Sequence, residues 1–294
     1  MLSILIPTYN YNVYPLVCEL SAQCQTANIP FEVLVIDDHS TDIVPENTKI
    51  NAVPNCSFIV LENNCGRSAV RNLLAKKAQY NWLLFLDSDV MPTQTNFISS
   101  YIGQIDNEVK LVNGGILYPD EKPEKEKILR WIYGRSREAL SVKSRQQNPY
   151  LSCLSLNFLV HKSILNQVKF NESIPNLRHE DTLFSFNLKE KKIPVLHIHN
   201  PVFHFGLDTF DKAIKKENES LYALKYLIEK NLIAADYIRM GQMYSTLKKY
   251  QLTPLVQLFH RFAKPFLMKN LASQNPSMLF FDMYRISYLC TLRN

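Results

Sequence analysis

A chain of 294 residues, with 46% hydrophobic and 20% charged residues, can bury a sizeable core and is too apolar to be disordered. Seven glycines argue against a fibrous repeat, and six cysteines without a Cys-x-x-Cys pair argue against a zinc finger or a thioredoxin-like redox site. The first apolar run is short and lacks a basic region before it, and no apolar stretch approaches the ~20 residues that span a bilayer. We therefore expect a soluble or peripheral cytoplasmic protein with reduced thiols.

The positive charge lies at one end of the chain. Residues 237–294 hold eight lysines and arginines against one acid, Asp282, whereas the rest of the chain is close to neutral. The net charge of +6 therefore belongs to the tail. Nucleic acid, a membrane surface and an acidic partner all remain open as targets, because charge alone does not choose among them.

Apolar runs alternate with helical patterns through the first two thirds of the chain. Continuous hydrophobic runs are typical of strands that are covered on both faces, as in a mainly parallel sheet joined by helices. The order strand, helix, strand, helix, strand predicts an α/β domain. Strands are predicted at residues 2–6, 31–36, 58–61, 82–86, 109–112, 154–160 and 195–199, and helices at 13–26, 67–79, 162–168 and 180–191.

Two polar stretches and a change of pattern indicate how the chain is divided. Residues 119–127 are a charge run that predicts a solvated loop and helix start, and residues 141–150 predict a mobile connection. After about residue 207 the strand signals stop. We therefore predict a domain of residues 1–206 and a helical region of residues 207–294, whose clearest helices are expected at 213–230 and 234–249.

One apolar stripe stands out in the tail. Apolar residues recur there at steps of three and four, which usually means that a helix packs into a core. The basic neighbours Arg261 and Lys264 also permit contact with a membrane surface, and that alternative stays open. Pro265 is expected to kink or end this helix. The stripe consists of Leu255, Leu258, Phe259, Phe262 and Phe266.

Polar residues follow four of the predicted strands. In parallel α/β sheets, ligands bind beyond the carboxyl ends of the strands, so these residues should meet at one rim. Asp87 and Asp89 follow the fourth strand, and if the strand geometry persists both carboxylates face the same side. Two such carboxylates would repel each other unless a divalent cation lies between them, and hard oxygen ligands suit Mg²⁺ or Mn²⁺.

The ordered motifs resemble family-2 glycosyltransferases, which implies the GT-A fold. That fold is a Rossmann-like, mainly parallel central sheet flanked by helices, here with a C-terminal helical appendage. The resemblance covers roughly residues 2–205 and says little about the rest. It rests on SILIPTYN (3–10), VIDDHSTD (35–42), NCGRSAVRN (64–72), FLDSD (85–89) and HED (179–181).

The resemblance implies a role for each motif residue. Asp38 would accept a hydrogen bond from uracil, and Arg71 would lie beside the diphosphate. Asp89 would be the main metal ligand, and His204 matches a position where some related enzymes place a second one. Asn157 would contact the acceptor, Asp181 would be the general base, and Glu180 would orient the acceptor or act as a second base. The implied nucleotide-sugar site comprises Pro7, Thr8, Tyr9, Asp38, Gly66, Arg71, Asp87 and Ser88.

The implied activity is an inverting, hexosyltransferase-type transfer from a UDP-sugar to a hydroxyl of a glycan or lipid-linked glycan. Mn²⁺ or Mg²⁺ would assist it, and cell-surface polysaccharide synthesis is the expected setting. A nucleotidyltransferase of related fold is one alternative, although the first turn lacks the Gly-rich basic stretch expected of it. A non-catalytic protein that binds nucleic acid through its basic tail is the other, and it leaves the polar strand ends unexplained.

Overall fold

The computed structural model describes residues 1–106, 110–175 and 178–292, and the chain divides into two units. The predicted boundary after residue 206 is one of the places where the chain changes unit. The prediction missed that residues 119–138 group with the C-terminal helices. The first unit takes the described residues of Met1–Tyr118, Ala139–Asn176 and Glu180–Gly206, and the second takes those of Pro119–Glu138, Leu177–His179 and Leu207–Asn294.

Ten strands form two sheets in the first unit, which confirms the α/β class. Val109, which begins the strand predicted at 109–112, lies outside the described residues; the described strand there starts at Leu111. The strands are β1 (Leu2–Thr8), β2 (Phe31–Asp37), β3 (Cys56–Val60), β4 (Trp82–Leu86), β5 (Val90–Pro92), β6 (Leu111–Asn113), β7 (Ile116–Leu117), β8 (Asn157–His161), β9 (Val195–His197) and β10 (Val202–His204).

Eleven α-helices lie in the described part of the chain. The predicted mobile connection at 141–150 was wrong, because it contains α5. Two 3-10 helices cover Pro45–Ala52 and Lys125–Lys127, and a π-helical segment covers Gly134–Glu138. The helices are α1 (Tyr14–Thr26), α2 (Arg67–Lys77), α3 (Phe97–Ile102), α4 (Ile128–Tyr133), α5 (Val142–Gln147), α6 (Lys162–Gln167), α7 (Glu180–Glu190), α8 (Phe210–Glu229), α9 (Arg239–Lys249), α10 (Thr253–Leu271) and α11 (Met278–Thr291).

The large sheet has the strand order β3-β2-β1-β4-β8-β6-β9. Strands β1 to β4 run parallel, β8 runs antiparallel to both of its neighbours, and β9 is parallel to β6. Successive side chains of a strand point to opposite faces, so Ile4 packs into one buried cluster while Leu5 packs into another with Val70 and Leu74 of α2. Burial on both faces explains the continuous apolar runs, and the parallel strands bring the ends of β1, β2 and β4 to one rim.

The small sheet has the order β5-β10-β7 and was not predicted. Its strands have only two or three residues, too few for a periodic pattern to appear. Strand β10 runs antiparallel to β5, with His204 opposite Val90. This pairing brings the chain near residue 204 back beside the end of the Asp87-Ser88-Asp89 turn.

The second unit is helical and has its own core. Leu129, Ile214, Phe281 and Tyr284 are buried there, together with Leu267 of α10. Helix α10 continues past Pro265, so this residue does not end the helix, and a kink at Pro265 stays a prediction. Pro265 lies on an exposed face, where water can hydrate the backbone carbonyl that loses its partner. In the described residues, no helix is both long and apolar enough to cross a membrane.

Candidate active site

The ends of β1 and β2 meet as the sequence predicts. Thr8 is the register partner of Asp37, and the backbone N–H of Asp38 donates to the carbonyl of Thr8 at 3.0 Å. One carboxylate oxygen of Asp37 accepts the N–H of Ser40 at 2.8 Å, which closes the turn after β2. Two polar strand ends are thus tied together at the rim of the sheet.

Asp38 anchors the start of α2. Its two carboxylate oxygens accept the backbone N–H groups of Cys65, at 2.7 Å, and of Gly66, at 2.9 Å. Gly66 has a φ of +87°, a conformation that strongly favours glycine at this helix start. The contact between Asp38 and uracil stays a prediction.

Thr8 and Tyr9 present two different surfaces to the rim. The Thr8 hydroxyl is buried and has no hydrogen-bond partner in the described residues, which is the usual state of a group that a ligand or water completes. The Tyr9 side chain is 47% exposed, so its ring is open to stacking. Pro7, which precedes them, is partly buried.

Arg71 lies between two carboxylates rather than in the open. It is 4% exposed; its Nη2 donates to Asp87 at 2.9 Å, and its Nη1 donates to Glu180 at 3.2 Å. Burial alone would lower the pKa of Arg71, but the charges of Asp87 and Glu180 raise it, so the guanidinium stays charged. Its Nε is buried without a partner among the described residues, and its charged end lies over the ring of Phe170. In this structure Arg71 neutralises two carboxylates of the site, and its contact with a diphosphate stays a prediction.

Asp87 and Asp89 have separate partners, which contradicts the expectation of one facing pair. Strand β4 ends at Leu86, so the two-residue repeat of a strand does not extend over the turn that follows. Asp87 is bound to Arg71, whereas Oδ2 of Asp89 lies 3.3 Å from Nε2 of His204. Ser88 is partly buried in the turn between them.

The Asp89 carboxylate is held close to the end of β10. The backbone N–H of Phe205 donates to the carbonyl of Asp89 at 2.9 Å. A Cβ atom on Gly206 would lie 1.9 Å from Oδ2 of Asp89, so only glycine leaves this space to the carboxylate. His204 is buried, and its ring lies 5.5 Å from that of Tyr118, centroid to centroid.

The spacing of the Asp89 and His204 side chains suits two ligands of a divalent cation, if a bound molecule and water supply the others. Adjacent ligands of an octahedral ion at ~2.1 Å lie about 3 Å apart, close to the observed 3.3 Å between these two side chains. No three His, Cys, Asp or Glu side chains of the described residues are grouped closely enough to hold an ion alone. Phosphate oxygens and water would have to supply the remaining ligands, as is common for Mg²⁺.

Asp181 has the electrostatics of a base. It is partly buried at the start of α7, and Oδ1 accepts the N–H of Thr182 at 2.7 Å. Loss of solvation and, after it, the negative charge of Glu180 raise the pKa of Asp181 to about 6, although Arg71 acts in the opposite direction. A pKa near neutrality suits a group that must take up a proton during a reaction.

Asn157 does not serve the predicted acceptor site. Its side chain is fully buried at the start of β8, where Nδ2 donates to the carbonyls of Gly115, at 2.8 Å, and Asn200, at 3.0 Å. Its Oδ1 accepts the hydroxyl proton of Tyr101 at 2.6 Å. These bonds join strand ends inside the core, so we correct the acceptor assignment and call Asn157 structural.

The sequence analysis did not single out two residues, Tyr11 and Arg145, whose surroundings the structure shows to be distinctive. Burial and, after it, the negative charge of Asp89 raise the pKa of Tyr11. Arg145 of α5 is buried, and its Nη2 donates to the carbonyls of Gly114, at 3.2 Å, and Ile198, at 2.8 Å. The position of Tyr11 directly after the PTYN motif (7–10) could have drawn attention to it. Arg145 gave no such signal, because the polar residues around it indicate a loop.

Comparison with known proteins gives the chain a family. The sequence model of "Glycosyl transferase family 2" matches residues 3–169, more than half of the chain. An uncharacterized glycosyltransferase of Haemophilus influenzae is 28% identical over 209 residues, covering 68% of this chain and 76% of that protein. A second one from the same organism is 32% identical over 140 residues, and this chain spans 46% of its length. The chondroitin synthase of Pasteurella multocida is 32% identical over 119 residues, only 12% of the synthase and 38% of this chain.

Two solved structures share the fold at low sequence identity. TarS of S. aureus, in complex with UDP-GlcNAc, is 20% identical with a TM-score of 0.52, over 77% of this chain and 66% of that chain. Mannosyl-3-phosphoglycerate synthase of Rubrobacter xylanophilus is 13% identical with a TM-score of 0.55, over 80% of this chain and 76% of that chain. With the fold established in this way and the family model matched over most of the first unit, the chain belongs to glycosyl transferase family 2 and has the GT-A fold.

Proposed function

We propose that this glycosyltransferase moves a hexosyl group from a UDP-sugar to a hydroxyl of a glycan or lipid-linked glycan, with inversion at the anomeric carbon. One observation carries the proposal. Arg71 joins the turn after β4, which belongs to the predicted donor site, to Glu180, the neighbour of the raised-pKa carboxylate Asp181. Donor and base residues thus form one electrostatic cluster.

The donor would bind along the rim of the large sheet. The exposed ring of Tyr9 offers a stacking surface for a base, and the buried Thr8 hydroxyl has a free hydrogen-bonding capacity in the described residues. Asp38 would accept from uracil while it holds Gly66 at the start of α2. Pro7, Asp87 and Ser88 complete the proposed site. The UDP-GlcNAc complex of the structurally similar TarS supports UDP as the nucleotide.

Asp89 and His204 would hold Mn²⁺ or Mg²⁺ together with the donor diphosphate. The mixed carboxylate and imidazole pair favours Mn²⁺ over Mg²⁺, because Mg²⁺ prefers oxygen ligands. A bound ion would offset the charge that grows on the leaving diphosphate. The protein's own part is to keep the two ligands together through β10 and Gly206.

Asp181 would take the proton of the attacking acceptor hydroxyl. A partly desolvated carboxylate with a pKa near 6 is a stronger base than an ordinary aspartate and is still largely ionised at neutral pH. Glu180 is engaged by Arg71, so we assign it to holding the guanidinium rather than to proton transfer. Attack from the face opposite UDP gives inversion.

We place this activity in the cytoplasm, in the synthesis of a cell-surface polysaccharide. The partial similarity to chondroitin synthase, an enzyme named for a polysaccharide product, supports that setting. Neither nucleotidyl transfer nor nucleic-acid binding follows from membership of this family.

The proposal is tested by incubating the purified chain with UDP- and GDP-sugars and Mn²⁺ or Mg²⁺, and by measuring release of the nucleoside diphosphate. We expect release from a UDP-sugar that rises with the divalent ion. Asp89→Ala should abolish metal-dependent UDP binding. Asp181→Asn should keep binding but lower turnover ~10²–10⁴-fold, whereas the exposed Asp236→Asn should match the wild type. No donor release and no metal-dependent UDP binding would refute the proposal.

A further inference from the structure

The outward face of α10 carries an apolar stripe that the second unit does not cover. The helix turns His260, Leu267 and Leu271 inward, where they are buried. Phe262 is 73% exposed and Phe266 is 63% exposed, so the expectation that the stripe packs into a core was wrong. The exposed stripe comprises Leu255, Leu258, Phe259, Phe262 and Phe266.

The apolar surface continues beside the stripe. A groove of about 610 Å³ lies among α9, α10 and α11, and Phe259 of the stripe forms part of its wall. Its other apolar walls include Met243 of α9 and Ile286 of α11, and Arg239 contributes a positive charge. Large exposed apolar surfaces of this kind mark sites where a protein meets a partner or a membrane.

The part of the sequence that forms most of this surface contains lysines and arginines but no acidic residues. Residues 237–281 contain no aspartate or glutamate. Six exposed cations lie in this stretch, and all of them belong to α9 or α10, the helices that carry the stripe and the groove. They are Arg239, Lys248, Lys249, Arg261, Lys264 and Lys269.

We propose that this face of α10 lies in the surface of an anionic lipid bilayer. The rings of Phe262 and Phe266 would enter the acyl boundary while the neighbouring cations contact lipid phosphates. A second copy of the chain on the same face would bring six like charges against six, which opposes a symmetric dimer there. Nucleic acid would use the cations but would leave the apolar stripe in water. A helix of 19 residues is about 28 Å long and lies flat in such a contact.

The test is co-sedimentation of the full chain with vesicles. One set is phosphatidylcholine alone, and the other is an about 2:1 mixture of phosphatidylcholine and phosphatidylglycerol. We expect binding to the mixed vesicles that falls as salt rises and little binding to phosphatidylcholine. Phe262→Ser with Phe266→Ser should weaken binding about tenfold or more. Arg261→Gln with Lys264→Gln and Lys269→Gln should weaken it by a similar factor.

Matched controls change equivalent groups elsewhere. Ile43 and Leu151 are exposed apolar residues of the first unit, so Ile43→Ser with Leu151→Ser should bind like the wild type. Lys122, Lys125 and Lys191 are exposed, and their change to Gln should have little effect. Circular dichroism checks that each variant is folded. Equal binding of wild type and stripe variants would overturn the proposal. The proposal would also be overturned if the wild type did not bind vesicles but formed a dimer in light scattering, and if the two Phe→Ser changes converted that dimer to a monomer.

Discussion

Arg71 and Glu180 lie 109 positions apart in the sequence, yet Nη1 of the arginine donates to the glutamate at 3.2 Å. The other arm of the same guanidinium holds Asp87. One buried cation therefore connects the turn after β4 with the start of α7.

Arg71→Lys should damage both stability and turnover. A lysine keeps the charge, but it is a single point donor and cannot bridge Asp87 and Glu180 as the planar fork does. We expect the free energy of unfolding to fall by roughly 1–3 kcal/mol and turnover to fall at least ~10-fold. Urea denaturation and steady-state rates measure the two effects.

Arg67→Lys is the matched control for that change. Arg67 lies 4.0 Å from the same glutamate, but its side chain is 45% exposed, and exposed ion pairs contribute little. It should change the free energy of unfolding by less than about 0.5 kcal/mol. Equal effects of the two substitutions would contradict the bridging role of Arg71.

Turnover should fall as pH is lowered through about 6. Protonation of Asp181 removes the proposed base, and its pKa is raised to about 6 by loss of solvation and by Glu180. The measurement is the acid side of the pH profile of kcat at saturating donor and acceptor. In Asp181→Asn the residual kcat should no longer fall as pH is lowered through 6. If kcat still falls in the same way, a group other than Asp181 causes the decrease.

Asp181→Asn should also make the protein more stable at neutral pH. An aspartate whose folded-state pKa lies above its ordinary value of about 4 costs stability once it is ionised in the folded protein. The gain on substitution should therefore be absent below pH 4, grow between pH 4 and 6 and be complete above pH 6. Thermal melts at several pH values should give a gain of roughly 1–3 kcal/mol. A loss of stability at pH 7 would show that the ionised carboxylate of Asp181 does not destabilise the folded protein.

Gly206→Ala should impair the proposed metal site without removing a ligand. The new methyl group would meet Oδ2 of Asp89 at 1.9 Å, so the carboxylate has to leave the position in which it faces His204. We expect Mn²⁺-dependent UDP binding, measured by calorimetry, to weaken about tenfold or more. Gly103→Ala is the control, because its methyl group would meet nothing closer than 3.6 Å. Unchanged binding by Gly206→Ala would argue against Asp89 as a ligand.

Asn157→Ala should lower stability rather than acceptor affinity. The change leaves the carbonyls of Gly115 and Asn200 without their donor and removes the strong acceptor of Tyr101. We expect a loss of roughly 2–4 kcal/mol in urea denaturation, with an unchanged KM for the acceptor below the melting range. Asn166→Ala, at an exposed position of α6, should be nearly neutral. A raised KM without loss of stability would restore the acceptor role.

The sequence was informative where a signal is local. Strands β1, β2 and β4 were predicted because each is a continuous apolar run. The structure buries residues of these runs such as Ile4, Val35 and Leu84. The proximity of Asp89 and His204 followed from the resemblance to a family and not from spacing. Arg71 and Glu180 could each be singled out, but their ion pair could not, because no local pattern links a residue of α2 with one of α7.

The tail shows a different limit. Helix α10 has apolar residues on two faces, Leu267 and Leu271 on one and Phe262 and Phe266 on the other. A periodic pattern identifies both faces but does not say which one the rest of the fold covers. The buried Asn157 escaped for a related reason, since a polar residue satisfied inside the core looks in sequence like one at a site.

The small sheet makes the proposed metal pair depend on strand register. His204 reaches Asp89 because β10 pairs with β5 so that His204 stands opposite Val90. A slip of one residue would turn His204 to the other face of the strand and bring Phe203 or Phe205 to its position. Neither phenylalanine can bind a cation through nitrogen. Insertions or deletions between residues 93 and 201 are therefore compatible with the site only if they preserve this one pairing, however far they lie from Asp89.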